Sequence, residues 1–299
     1  PQKEVHPGQL VTVCIKAVNR HVIFLGKQQF QIGVAYLNTP GNEKEMLQCD
    51  GVTEKVQQTM AEFSPKHCGI AQIDIEKVFL QDYLGLIGTQ KNFRGSCQLA
   101  VLPEPVLSTR VRTGMEKQQE YRYSAVADDD SDILDLRAFR PGDNLNHIHW
   151  NLSLRTDDLI VRQYGEQIDV KKVILVDLSI LNTTQYRSRM DAVYTAVASI
   201  ANLYVENEVN TLILAWNGQK QSAEYLEVHN RTELNRAMIR LMQIPCSSRA
   251  GEHAAAVYLK DIEAQGQQAL FVTAGSYENN KVRIVNVEKI QLQELIDEL

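Results

Sequence analysis

The 299-residue sequence predicts an α+β protein of two domains, an N-terminal β-sandwich followed by a Rossmann-like α/β domain. Three observations carry this. Up to about residue 107 the apolar residues alternate with polar ones, the period of half-buried strands. From about Lys171 onward, short apolar runs alternate with stretches whose apolar residues recur at helical spacing. Between the two, a polar and acidic stretch breaks both patterns.

In the first region Val11, Val13, Ile15 and Ala17 alternate with Thr12, Cys14, Lys16 and Val18, and Phe30, Ile32, Val34 and Tyr36 repeat the pattern. Asn38-Thr39-Pro40-Gly41-Asn42 reads as a turn. Further strands are expected near residues 52–63, 69–77 and 96–102. Several short strands with turns between them predict a β-sandwich over residues 1–107, ending near Pro103-Glu104-Pro105. Residues 108–134 are expected to be a flexible acidic linker, with Gly114–Glu120 polar and Asp128-Asp129-Asp130 solvated. Three adjacent aspartates cannot all face one ion without an irregular backbone.

In the second region Lys171–Asp177 is nearly continuous apolar sequence ending in an acid, as in a strand buried on both faces. Met190, Val193, Tyr194, Val197, Ile200, Ala201 and Tyr204 form one helical stripe. Residues 211–216, 269–273 and 281–287 are expected strands, with 223–228 expected as an antiparallel edge strand. Helices are expected at 232–242 and 252–265, Gly266 capping the latter, and around Leu292, Leu295, Ile296 and Leu299. Strands alternating with helices predict an open, doubly wound sheet over residues 170–299, whose ligand face lies beyond the carboxyl ends of its strands. The first such end is Asp177-Leu178-Ser179.

The net charge of −6 disfavours a general nucleic-acid-binding surface. Cys14, Cys49, Cys68, Cys97 and Cys246 have no paired spacing and are read as reduced thiols. No apolar run reaches the ~20 residues of a membrane-spanning helix. The sequence opens on Pro1-Gln2-Lys3 without an initiator Met, which leaves room for a preceding segment.

No glycine-rich phosphate loop, G-x-S-x-G or H-E-x-x-H is present. His147 and His149 would share a face on a strand, but no third ligand supports a metal, so they are read as polar packing. The pair His67-Cys68 is read as structural. The densest stretch runs from Asp135 to Arg155. Arg140-Pro141-Gly142-Asp143 is a tight turn, since Pro fixes φ and Gly admits positive φ. Around it Arg137, Arg140 and Arg155 meet Asp135, Asp143, Asp157 and Asp158, a set able to staple the segment by guanidinium–carboxylate bonds. Trp150 is expected to be a buried anchor.

Arg137, Phe139, Pro141, Gly142, Asp143, Ile148, Trp150, Ser153, Arg155, Leu159, Val161 and Arg162 resemble the signature of the domain of unknown function 58 family, here over residues 135–169. Asp82-Tyr83-Leu84-Gly85-Leu86 resembles a second family turn. The resemblance implies family coverage of nearly the whole chain: two N-terminal transmembrane helices absent from this sequence, a β-sandwich, the signature, and a von Willebrand factor A-like domain. It also implies a MoxR-type AAA+ ATPase as partner, in complex assembly at the cell envelope, with no established catalytic activity. The cytoplasmic face of the cell membrane is the implied location, consistent with unpaired cysteines.

The same resemblance recasts Asp177 and Ser179. Von Willebrand factor A domains end their first strand in D-x-S-x-S, which with a later Thr and Asp holds a divalent ion, the metal-ion-dependent adhesion site. Here Asp177 and Ser179 match, but Leu181 and Ala274 replace the second serine and the later acid. Thr183, Thr184, Thr273 and Ser276 offer hydroxyls. Losing one of two carboxylates removes about half the charge that holds a hard cation. The expectation is therefore a degenerate binding face at Asp177, Ser179, Thr273 and Ser276, without Mg²⁺ or Ca²⁺. The leading function is a non-enzymatic, membrane-tethered scaffold or adaptor with a protein partner. The competitors are a hydrolase or transferase using Asp143 and His149, and a metal-dependent adhesion module.

Overall fold

The computed structural model describes residues 4–18, 25–37, 44–52, 56–107, 121–123, 133–156, 158–167, 171–179, 185–261, 269–277, 282–288 and 291–298. They fall into two compact units, one built from residues 1–111 and 172–299, the other from 112–171.

The first unit begins with six strands: β1 (Val11–Val18), β2 (Leu25–Tyr36), β3 (Glu45–Val52), β4 (Val56–Phe63), β5 (Gly69–Asp82) and β6 (Gly88–Val101). They make two antiparallel sheets, β1-β4 and β3-β2-β5-β6. Alternation explains their packing. Phe30, Ile32 and Val34 of β2 and Ile73 of β5 share one core with Ile15, Ala61 and Phe63 of the smaller sheet. The run expected at 52–63 divides into the end of β3 and all of β4.

The rest of this unit is a five-stranded sheet with helices on both faces. Its strands are β10 (Lys172–Val176), β11 (Thr211–Asn217), β12 (Ser222–Val228), β13 (Ala269–Thr273) and β14 (Arg283–Asn286), in the order β12-β11-β10-β13-β14. All neighbours are parallel except β11 and β12, so the edge strand runs antiparallel, as its sequence suggested. The helices are α2 (Tyr186–Glu206), α3 (Arg231–Gln243), α4 (Ala250–Asp261) and α5 (Leu292–Glu298). Ile174 and Val176 point to the core shared with α2, α3 and α5, whereas Val173 and Leu175 point to the core shared with α4. That two-sided burial is why β10 reads as continuous apolar sequence.

Helix α2 buries every member of its predicted stripe. Helix α3 begins at Asn230, whose side chain accepts the Glu233 amide proton while Glu233 accepts that of His229, a reciprocal cap that stops fraying. Ser199 of α2 ties in the segment after β6: its Oγ accepts from the Val106 amide at 2.8 Å and donates to Thr195 O. Gly266, Lys281 and the turn at 38–42 lie outside the described residues.

The second unit contains β7 (Tyr121–Tyr123), β8 (Ile133–Ala138), a single 3-10 turn (Leu145–His147), α1 (Trp150–Thr156) and β9 (Ile160–Gln167). Strand β9 is central, pairing antiparallel with β7 and β8. The expected 108–134 linker therefore needs correction. It contains β7 and the start of β8, because aromatic Tyr121 and Tyr123 suit a strand and β9 offers them an edge. Its acidic run at 128–130 lies outside the described residues. Among the described residues no helix is long and apolar enough to cross a membrane.

Candidate functional site

The order of the five-stranded sheet reverses between β10 and β13, and a doubly wound sheet opens its ligand crevice at that switch point. Asp177 follows β10 directly, and Thr273 ends β13. Their pairing is fixed by the backbone: Asp177 N–H donates to Val272 O at 3.0 Å. The Thr273 hydroxyl then donates to Asp177 Oδ2 at 2.6 Å, while Asp177 Oδ1 accepts from both the amide (3.0 Å) and hydroxyl of Ser179. The structure thus brings together three of the four residues expected at this face. Ser276 lies three residues beyond Thr273 and is exposed. Ala274, in the place of the missing acid, is 4% exposed. Leu181, Thr183 and Thr184 lie outside the described residues.

Two participants carried no sequence signal. Gly251, in the first turn of α4, donates its amide to the Ser179 hydroxyl at 3.2 Å. A Cβ on Gly251 would stand 2.5 Å from Asp177 Oδ1, so only glycine lets the helix start approach the carboxylate. Ser247 pairs with Ser179 in a short parallel bridge, its amide donating to Leu178 O at 3.2 Å. Gly218 is packed as tightly, its would-be Cβ 2.4 Å from that of Ser247. In sequence Cys246-Ser247-Ser248-Arg249 is an ordinary polar turn before a helix. Only the fold reveals its position.

A second polar cluster joins the N-terminal sheets to α2 within the first unit. His67 Nδ1 lies 2.6 Å from Asp191 Oδ2, and the Cys68 amide donates to Asp191 Oδ1 at 2.8 Å. Tyr36 meets His67 edge-on, and the Arg187 guanidinium sits 5.7 Å from the Tyr36 ring centre. Burial pushes the Cys68 thiol up to about 12, with the Asp191 charge adding to it. The raised value keeps this thiol protonated at neutral pH.

In the second unit the Arg140–Asp143 turn forms as expected: Asp143 N–H donates to Arg140 O at 3.0 Å, and Gly142 has φ of +108°. Arg137 grips Asp143 in two parallel bonds of 2.7 and 2.6 Å, and the Arg140 amide adds a third at 2.7 Å. The Arg137 guanidinium, then the Arg140 amide, hold the Asp143 carboxyl at about 2. This contribution to stability is present above the ordinary carboxyl range and disappears as pH falls through about 2. Carbon-detected NMR titration is expected to place the Asp143 midpoint there, and to move it up toward 4 in Arg137→Ala.

Of the wider staple, the Arg140 charge adds to that of Arg137 in holding the Asp143 carboxyl down, and Arg140 and Arg155 are exposed. Asp135 caps the Leu136 amide, and Asp157 lies outside the described residues. Arg155 lies in the last turn of α1, where a cation suits the helix dipole. Trp150, expected to be buried, is 57% exposed because α1 turns Ser153 inward in its place. The Ser153 hydroxyl donates to His149 O and accepts from the Ile160 amide at 2.9 Å, joining α1 to β9. His149 Nδ1 accepts from the Leu152 amide at 3.2 Å and so caps α1. His147 lies in the 3-10 turn, not on a strand with His149.

Among the described residues no group of three or more His, Cys, Asp or Glu side chains is placed to hold a metal. Residues 135–281 match the model of a family described as "Protein of unknown function DUF58". The match begins at the signature and spans about half of the chain, not nearly all of it; the N-terminal sheets precede it. No curated protein and no solved structure matches the chain. On the match that begins at this signature and runs through the Asp177 cluster, residues 135–281 belong to the DUF58 family.

Proposed function

We propose that this chain is a non-enzymatic scaffold or adaptor whose C-terminal region is a von Willebrand factor A-like domain, docking a protein partner at the carboxyl ends of β10 and β13. The observation that carries this reading is the closure of the Asp177 cluster upon itself. A carboxylate has about four acceptor positions, and Asp177 uses three of them on Ser179 and Thr273. A general base must instead reach the proton it removes. With its carboxylate engaged inward, this face is read as a surface for docking.

A divalent ion at such a strand end would be held by Asp177, Ser179 and Thr273. The described residues do not fit it: they offer one carboxylate, Ala274 supplies no donor, and both hydroxyls direct their protons at Asp177. Calorimetric titration with Mg²⁺, Mn²⁺ and Ca²⁺ is expected to give no binding heat. A heat that disappears in Asp177→Ala would restore the metal-dependent adhesion reading.

The partner proposed is a MoxR-type AAA+ ATPase at the cytoplasmic face of the cell membrane, following the family signature. Affinity capture from native cells should recover such an ATPase with the unaltered chain. Ser276→Arg, at an exposed position beside the cluster, should lose it without a change in thermal stability. Failure to recover any AAA+ ATPase with the unaltered chain would sink the partner assignment.

A further inference from the structure

Strands β5 and β6 are joined by a turn at residues 83–87, carrying Tyr83, Leu84, Leu86 and Ile87 at 82%, 73%, 79% and 72% exposure. Every residue from Tyr83 to Phe93 is exposed, so this end of the hairpin is open to solvent on both faces. Four large apolar side chains at one turn exceed the scattered singles normal on a protein surface.

We propose that this hairpin tip is a membrane-contact site that inserts into the interface of an anionic lipid bilayer. Three observations select lipid as the occupant. First, the charge is complementary. The chain carries −6, yet residues 77–95 hold Lys77, Lys91 and Arg94 against one acid, Asp82. The Asp82 carboxylate is itself engaged, accepting from the Ile87 amide at 2.9 Å. Second, the turn satisfies part of its own backbone: Asp82 N–H donates to Ile87 O, and Gly85 N–H to Asp82 O, each at 3.0 Å. Amides already paired can leave water at little cost.

Third, the spacing matches a bilayer. Lys91 stands four residues from Ile87, roughly 14 Å along an extended strand. An interfacial element buries its apolar side about 5–10 Å into the headgroup and acyl boundary. A tip at that depth leaves Lys91 near the phosphates, within a Debye length of about 8–10 Å of the anionic surface. Tyr83 is an amphipathic ring of the kind that settles at headgroup level. The structural alternative is that Lys91 and Arg94 merely guard an edge strand against pairing, which accounts for the cations but not for the apolar turn. This inference stands independently of the docking face at Asp177.

The test is co-sedimentation of the whole chain with vesicles of phosphatidylcholine, with and without phosphatidylglycerol. Binding is expected on the anionic vesicles and to be roughly tenfold weaker on the neutral ones. Leu84→Asp/Leu86→Asp should lose roughly tenfold or more, with an unchanged thermal melt because both positions are exposed. Lys91→Glu should lose a few-fold at low salt, and that difference should vanish at high salt. The emission of Tyr83→Trp should shift to the blue on adding anionic vesicles and be quenched by brominated lipid. Absence of vesicle binding, or a double variant that binds as the unaltered chain does, overturns the proposal. So does self-association that the double variant abolishes, which would assign the tip to a second copy of the chain.

Discussion

Asp177→Ala is expected to destabilise the chain by about 2–4 kcal/mol. The carboxylate accepts from the Ser179 amide, the Ser179 hydroxyl and the Thr273 hydroxyl. Removing it leaves these donors without a partner at the switch point of the sheet; a stranded buried donor costs about 1–3 kcal/mol, while those of half-buried Ser179 turn to water. Thr273 is fully buried and bears most of the loss. Asp177→Asn should cost less, since its amide oxygen still accepts from Ser179 while the Thr273 hydroxyl faces an NH₂. Gly251→Ala strikes the same cluster from α4, with a methyl 2.5 Å from Asp177 Oδ1, and should also destabilise. Chemical denaturation followed by far-UV circular dichroism measures all three. If Asp177→Ala melts with the unaltered chain, the cluster is not the fastening described.

Asp191→Ala is expected to cost about 2–3 kcal/mol by removing the bonds that tie His67 and Cys68 to helix α2. The pH dependence separates the two roles of this carboxyl. Burial raises its pKa above the ordinary value, and His67 and the Cys68 amide only partly offset that rise. The folded state therefore retains this proton to higher pH than the unfolded chain does. The corresponding stability is fully present below about pH 4, the unfolded value, and declines as pH rises through the folded one. Asp191→Asn removes that decline while keeping an acceptor for the Cys68 amide. Its stability near pH 7 should stay within about 1 kcal/mol of the unaltered chain. Urea unfolding at pH 4, 5.5 and 7 gives both quantities. A slope that persists in Asp191→Asn would assign the titration to another group.

The sequence itself determined the arrangement of strands and helices in the α/β region, because burial there is written in periodicity. Lys172–Val176 is apolar at successive positions since both its faces are covered, and the α2 stripe recurs at helical spacing since one side meets the sheet. The turn at Arg140–Asp143 was equally legible, as Pro and Gly constrain backbone angles wherever they occur. Asp177, Ser179 and Thr273 were visible as polar residues ending apolar runs, though not as one hydrogen-bonded set.

Tertiary structure alone decided the rest. Gly251 and Ser247 join the site through contacts with residues about 70 positions away, and no local pattern encodes such an approach. Trp150 faces solvent because the direction of a seven-residue helix is set by what it packs against, and Ser153 takes the inward position. His149 became a helix cap once α1 formed, where a strand reading had paired it with His147. Periodicity and turn chemistry are local and survive in one dimension. Which polar groups find each other depends on strand order, which places Thr273 beside Asp177 across 96 residues of chain.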